Sequence, residues 1–126
     1  MKESFFQFSD PQLVKLNFQI NEDFDEQLFT GFSIESEVHI GIIEQGKEAL
    51  VSLQLLIGNS SANYPFQILI VMSGNFTCDK EDYFDKLLNT NAPALLLSYT
   101  RPIISLITAQ AGYPSFHLPF MNFTES

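Results

Sequence analysis

One cysteine, Cys78, and two histidines, His39 and His117, are the side chains best suited to nucleophilic or metal chemistry in this sequence. Cys78 paired with either histidine would make the thiol–imidazole couple of a cysteine hydrolase. Nothing in the residues around Cys78 supports that pairing, and the thiol reads as structural. His39 and His117 stand far apart, without the close spacing from which metal sites are built. His39 falls on the polar side of an alternating segment and reads as solvated. His117, between Phe116 and Leu118, reads as packed near an interface. The acidic run Glu22-Asp23-Phe24-Asp25-Glu26 lacks the alternation and central glycine of a calcium loop; it reads as a solvated loop or a docking surface. The 6 glycines are dispersed, so no phosphate-cradling loop is present. The expectation is a protein without catalysis, metal or cofactor.

Composition narrows the partners. The 126 residues carry 15 acidic and 6 basic side chains, a net charge of -9. Nucleic acid and anionic membranes reward Lys and Arg, so neither is expected as a partner. The charge serves solubility, docking on a basic partner, or both. Charged residues make up 17 % of the chain, below the usual quarter, as expected where a second subunit covers part of the surface. A single cysteine fits a reducing, cytoplasmic setting. The first residues, Met1 to Phe8, lack the apolar core and cleavage site of a secretory signal. Residues 92–111 are apolar enough to suggest a membrane span, but Arg101-Pro102 interrupts them and a mid-bilayer arginine is costly. That stretch is expected to be buried in protein.

The elements that must position these residues follow from periodicity. Val14, Leu16, Phe18 and Ile20 alternate with Lys15, Asn17 and Gln19, the pattern of a half-buried strand. Phe32, Ile34, Val38, Ile40 and Ile42 continue it on a second strand whose other side carries Glu35, Glu37 and His39. After a turn at Gln45-Gly46-Lys47, Val51, Leu53, Leu55 and Ile57 mark a third strand. A loop over 58–63 leads to a fourth, apolar on both faces: Phe66, Ile68, Ile70 and Met72 on one, Leu69 and Val71 on the other. Such a strand is buried on both sides, and the second side points to a subunit interface.

The remainder is predicted helical. Asp79 serves as an N-cap ahead of Glu81 and Asp82, and Tyr83, Phe84, Leu87 and Leu88 form an apolar stripe. Asn89-Thr90-Asn91 with Pro93 ends that helix. A second, longer one spans about Ser98 to Ala111, closed by Gly112 and Pro114. Pro102 either sits in its first turn or kinks it. Four strands followed by two helices make a single α+β domain over 1–126 with an antiparallel sheet. Phe24, Leu28 and Phe29 lie in or beside the acidic loop. They form either an exposed binding patch or a satellite of the core.

The segment Asn91-Ala92-Pro93-Ala94-Leu95-Leu96-Leu97-Ser98-Tyr99-Thr100-Arg101 resembles the SecB family's proline, apolar run and Tyr-x-Arg. Gly112-Tyr113-Pro114 resembles its Gly-Phe-Pro, Leu118-Pro119 its Leu-x-Pro step, and Asn122-Phe123 its terminal Asn-Phe. Gly74-Asn75-Phe76 matches the Gly-x-Phe ending the last strand. The resemblance covers about residues 64–123.

It implies a four-stranded antiparallel sheet backed by a long helix, and dimers that pair into tetramers. The implied function is that of an ATP-independent holdase, taking unfolded or precursor polypeptides into apolar grooves, in the service of protein export. The alternative is an adaptor of the same fold dedicated to one partner. Groove candidates are Phe24, Leu28, Phe29, Phe66, Phe76, Phe116 and Phe123. Tyr99 and Arg101 are structural, anchoring the helix start or an interface, together with Pro114 and Asn122. The family also docks on a SecA-type motor through an acidic residue on the fourth strand and a C-terminal tail. Gln67 and Leu69 stand at the matching place here, and the chain ends at Ser126. Ser98 replaces the family's proline before the Tyr, and Pro102 stands instead.

Overall fold

A computed structural model describes residues 6–58, 63–119, 121 and 123. Four strands, β1 (Phe6–Ile20), β2 (Ile34–Glu44), β3 (Glu48–Ile57) and β4 (Phe66–Cys78), precede one helix, α1 (Phe84–Gln110). The sheet is antiparallel in the order β1-β4-β3-β2. The crossover segment between β1 and β2 therefore passes from one edge of the sheet to the other.

Alternation carries through to the register. Leu16, Phe18 and Ile20 lie opposite Ile70, Ile68 and Phe66 on the helix side. Val14 departs from the expected row because it falls at a register shift between Leu13 and Lys15, and an extra residue sends the following side chains to the opposite face. On β3, Ala49, Val51, Leu53, Leu55 and Ile57 all point to the helix side and are buried. At the β2–β3 turn, Lys47 N–H donates to the Glu44 carbonyl at 2.9 Å, with Gly46 at φ 81°. That left-handed conformation suits glycine.

Two expected helices are one. α1 runs 27 residues with both Pro93 and Pro102 inside it, and no break occurs at Asn89-Thr90-Asn91. A proline within a helix removes a backbone hydrogen bond and crowds the carbonyl four residues earlier, at about 3 kcal/mol. Packing outweighs that penalty. Phe84, Leu88, Ala92, Leu96, Thr100, Ile104 and Thr108 recur every fourth residue and are all buried, forming one ridge that lies mainly over β3 and β4. Helix-sized burial of this kind contributes about 1.5–3 kcal/mol per large side chain. Asp79 does not cap α1: a short 3-10 turn over Glu81–Tyr83 intervenes, and Tyr83 occupies the N-cap position without a side-chain bond. By length and composition α1 could cross a membrane; in this fold its ridge is closed against the sheet.

Gly112 ends α1 as expected, at φ 93°. Tyr113 N–H donates to the Thr108 carbonyl at 3.0 Å and Gly112 N–H to the Ala109 carbonyl at 3.1 Å, the paired bonds of a Schellman cap. The chain then turns back along α1. Phe116 N–H donates to Thr108 Oγ1 at 2.9 Å, Ser105 Oγ donates to the Phe116 carbonyl at 3.1 Å, and Arg101 Nη2 donates to the Leu118 carbonyl at 2.9 Å. Thr108 is fully buried and holds both the cap and the returning segment. Replacing Thr108 by Val keeps its shape and deletes the acceptor of the Phe116 N–H. That change is expected to cost about 1–3 kcal/mol in urea unfolding and to speed amide exchange over residues 113–119.

Candidate functional site

The crossover segment is held in place by short polar contacts to residues 63–65. Asn21 Nδ2 donates to the Tyr64 carbonyl at 2.8 Å, and Asn21 N–H donates to the Pro65 carbonyl at 2.9 Å. Asn63 Nδ2 donates to the Asp25 carbonyl, whose own N–H donates to Asn63 Oδ1. At the far end Tyr64 OH donates to Ser33 Oγ at 3.0 Å. These contacts fix the backbone that carries the aromatic groups.

On that frame Phe24 meets Phe29 at 5.6 Å between ring centroids, and Phe29 meets Phe32 at 5.2 Å. Phe32 then touches Phe66 at 4.9 Å and Phe116 at 5.0 Å. Edge-to-face and stacked pairs of this kind add about 0.5–1.5 kcal/mol each beyond area burial. The loop's large apolar residues are divided in their burial. Phe24 and Phe29 are half-buried as an outlying extension of the core, while Leu28 is 66% exposed. Glu22, Asp23, Asp25 and Glu26, which precede it in the crossover segment, are all exposed. The joint of this ladder is Phe32, which periodicity had assigned only to a strand face.

The other groove candidates divide. Phe116 and Phe123 are half-buried at the margin of the core. Phe66 is 3% exposed and Phe76 fully buried, so neither offers a side-chain surface. Both lie on the helix side of β4, the strand that α1 covers. Phe76 instead stacks with Phe6 and Phe8 at 5.5 and 4.7 Å.

Tyr99 and Arg101 lie in the middle of α1, not at its start. Tyr99 is 46% exposed and packs edge-on against Phe8 at 5.4 Å. Arg101 is half-buried against the returning segment. Pro114 is exposed beyond the cap, and Asn122 lies outside the described residues.

A second apolar surface was not legible as such in the sequence. Leu13, Val14, Leu16 and Ile20 of β1 are 45%, 59%, 36% and 54% exposed, and Leu95, Tyr99 and Leu106 of α1 are also exposed. Because α1 rests mainly over β3 and β4, Leu13, Leu16 and Ile20 on the helix-side row of the edge strand β1 are left exposed, while Phe8 on the same row meets Tyr99. Strand order decides this, and strand order is a tertiary property.

Among the described residues no hydrogen bond joins Cys78 to either histidine. Cys78 is 2% exposed and its thiol donates to the Lys80 carbonyl at 3.1 Å. His39 is exposed on the outer face of β2, 3.6 Å from Glu37. His117 Nδ1 lies 3.3 Å from Ser105 Oγ, beside a cleft of about 270 Å³ lined by Arg101, Ser105, His117 and Leu118. This serine–histidine contact arises from the chain reversal at Gly112, so spacing along the sequence could not show it. Ser105 also bonds the Phe116 carbonyl, so the contact ties the returning segment down. Among the described residues no group of three His, Cys, Asp or Glu side chains could hold a metal ion.

No protein-family model and no curated protein sequence matches the chain. Solved structures do. A protein of unknown function from Streptococcus agalactiae aligns with a TM-score of 0.61 at 17% identity, over 91% of this chain and 97% of that one. The SecB-like chaperone of Mycobacterium tuberculosis, solved with a ChAD peptide from the HigA1 antitoxin, aligns with a TM-score of 0.71 at 12% identity, over 93% of this chain and 88% of that one. Sheet order, crossover segment and the single long helix together identify the architecture: the chain has the SecB-like fold.

Proposed function

We propose that this protein is a non-enzymatic, ATP-independent chaperone that binds unfolded or extended polypeptide on its exposed apolar surfaces. The observation that carries the reading is the set of large apolar side chains left exposed: Leu28 beside the half-buried Phe24 and Phe29, and Leu13, Leu16 and Ile20 of β1 with Leu95, Tyr99 and Leu106 of α1. Large contiguous apolar patches on a folded chain mark binding surfaces. Apolar burial is non-directional, so such surfaces accept many sequences. The exposed carboxylates that precede Leu28 keep an unoccupied patch in solution.

The likeness to a chaperone solved with an antitoxin peptide supports polypeptide as the ligand class. It equally supports a second reading, an adaptor that serves one partner, because that complex holds a segment of one particular protein. We further propose a cytoplasmic homo-oligomer, in which part of the β1–α1 row is covered by a second copy, with neither membrane insertion nor nucleic-acid binding. Gln67 and Leu69 lie half-buried and uncharged on the outer face of β4, so docking on a SecA-type motor and a role in export form no part of the proposal.

The reading is tested by titrating a labelled, permanently unfolded polypeptide with the wild-type chain and with a Phe24→Ala, Phe29→Ala double variant. Saturable binding by the wild type, weakened about tenfold or more in the double variant, is the expected result. That loss corresponds to roughly 1.4 kcal/mol, well within what two half-buried aromatic rings can supply. Binding of a single native partner with no affinity for unfolded chains would favour the adaptor instead.

A further inference from the structure

Positive charge is scarce in this chain, and scarcest in its second half. From Leu87 to Phe123 the sequence holds no Lys, Asp or Glu, and Arg101 and His117 are the only side chains there able to carry positive charge. The chain reversal at Gly112 brings both to one cleft of about 270 Å³, where Ser105 and Leu118 complete the lining. Two of the lining groups can be positive and none can be negative.

Polar contacts set the lining in place. Arg101 Nη2 donates to the Leu118 carbonyl at 2.9 Å, which anchors the planar guanidinium. Arg101 is half-buried, so its charge is screened less than that of an exposed side chain. Ser105 Oγ donates its one hydrogen to the Phe116 carbonyl at 3.1 Å and lies 3.3 Å from His117 Nδ1. The serine–histidine contact is therefore made by Nδ1–H, and Nε2 becomes a second donor when the imidazole is charged. These features select a ligand class. The volume falls just short of the roughly 300–1,000 Å³ of sites for drug-sized ligands, so a small group enters. One permanent positive charge balances a monoanion and leaves a dianion under-compensated, on a chain of net charge -9. The guanidinium fork matches the two oxygens of a carboxylate, and the buried Leu118 offers an apolar wall to a short aliphatic stem.

We propose that the cleft between α1 and the returning segment binds a carboxylate group, of a small acid or of a peptide, through Arg101 and the charged form of His117. Bound there, the anion joins α1 to the returning segment and fastens it, and with it Phe116, which packs on Phe32 at 5.0 Å. The site is separate from the exposed apolar side chains and stands whether or not they bind unfolded polypeptide.

The test follows backbone amide resonances of the full chain during titration with sodium acetate, against sodium chloride, acetamide and inorganic phosphate at matched ionic strength. Acetate should shift the amides around Arg101, Ser105 and His117 saturably. Chloride and acetamide should not, and phosphate should bind more weakly. His117→Ala, altered at an exposed position, should weaken acetate binding about tenfold. Arg101→Lys, which keeps the charge and loses the fork, should weaken it as well. N-acetylalanine and a capped peptide with one central glutamate then identify the source. Tighter binding of the first assigns a chain terminus or free acid, tighter binding of the second a side chain, and either supports the site. No saturable response to acetate would overturn the site. Equal responses to acetate and acetamide, or phosphate binding more tightly than acetate, would overturn the carboxylate assignment. Undiminished acetate affinity in His117→Ala would overturn the placement in this cleft, whatever Arg101→Lys does to the fold.

Discussion

Replacing Phe76 by Ala is expected to destabilise the fold by about 3–5 kcal/mol, enough to remove much of the roughly 5–15 kcal/mol that a domain of this kind has in total. Phe76 sits on the central strand β4, fully buried, opposite Ala49 on β3 and Phe8 on β1. Its ring stacks on Phe8 and Phe6, so truncation opens a cavity and also strips two aromatic partners. Relaxation into that cavity is limited. Phe8 is already held by Tyr99 from α1, and the nearby Gly74 leaves room for the Phe8 ring that a Cβ would fill. Urea unfolding, with the slope monitored for two-state behaviour, reads the loss as a fall in midpoint. A change under about 1 kcal/mol would mean that β1 does not pack as described.

Pro102→Ala is expected to stabilise the protein by about 2 kcal/mol. The ring removes the hydrogen bond to the Ser98 carbonyl and crowds that carbonyl, a penalty of about 3 kcal/mol in a helix interior. Alanine restores the bond but frees the unfolded chain, which returns about 0.4–1 kcal/mol. Pro102 is exposed, so no core contact is lost with the ring. Pro93 differs: it is buried in the same helix, and Pro93→Ala exchanges a relieved backbone for a lost contact. The expected outcome is a raised urea midpoint for Pro102→Ala and a smaller change for Pro93→Ala. A clear loss of stability in Pro102→Ala would show that the sheet depends on a kink at that point.

The prolines also explain where reading from sequence stopped. Alternation of apolar residues placed the strands and their helix-facing rows, because a pleated strand has a strict two-residue period. The fourfold ridge from Phe84 to Thr108 was present in the same residues. Proline is a strong local signal against a helix, whereas the ridge becomes decisive only when a sheet lies beneath it. The register shift at Val14 left no mark in the pattern either, since an exposed valine suits both faces of an edge strand. The candidate surface was legible in part. Phe24, Leu28 and Phe29 stood out as large apolar groups among carboxylates, and the crossover does carry them. Phe66 and Phe76 were assigned from the layout that the family resemblance implies and from expected exposure, which cannot tell a groove wall from a core. The β1–α1 surface required knowing that β1 lies at an edge, where the helix covers it only in part.

The most direct test of the central claim is light scattering from a denatured model protein diluted into buffer without ATP, with and without a stoichiometric amount of this chain. Suppressed scattering, lost in the Phe24→Ala, Phe29→Ala variant while its fold persists, is the result predicted for a passive polypeptide-binding chaperone. Undiminished aggregation in the presence of folded wild-type protein would contradict it.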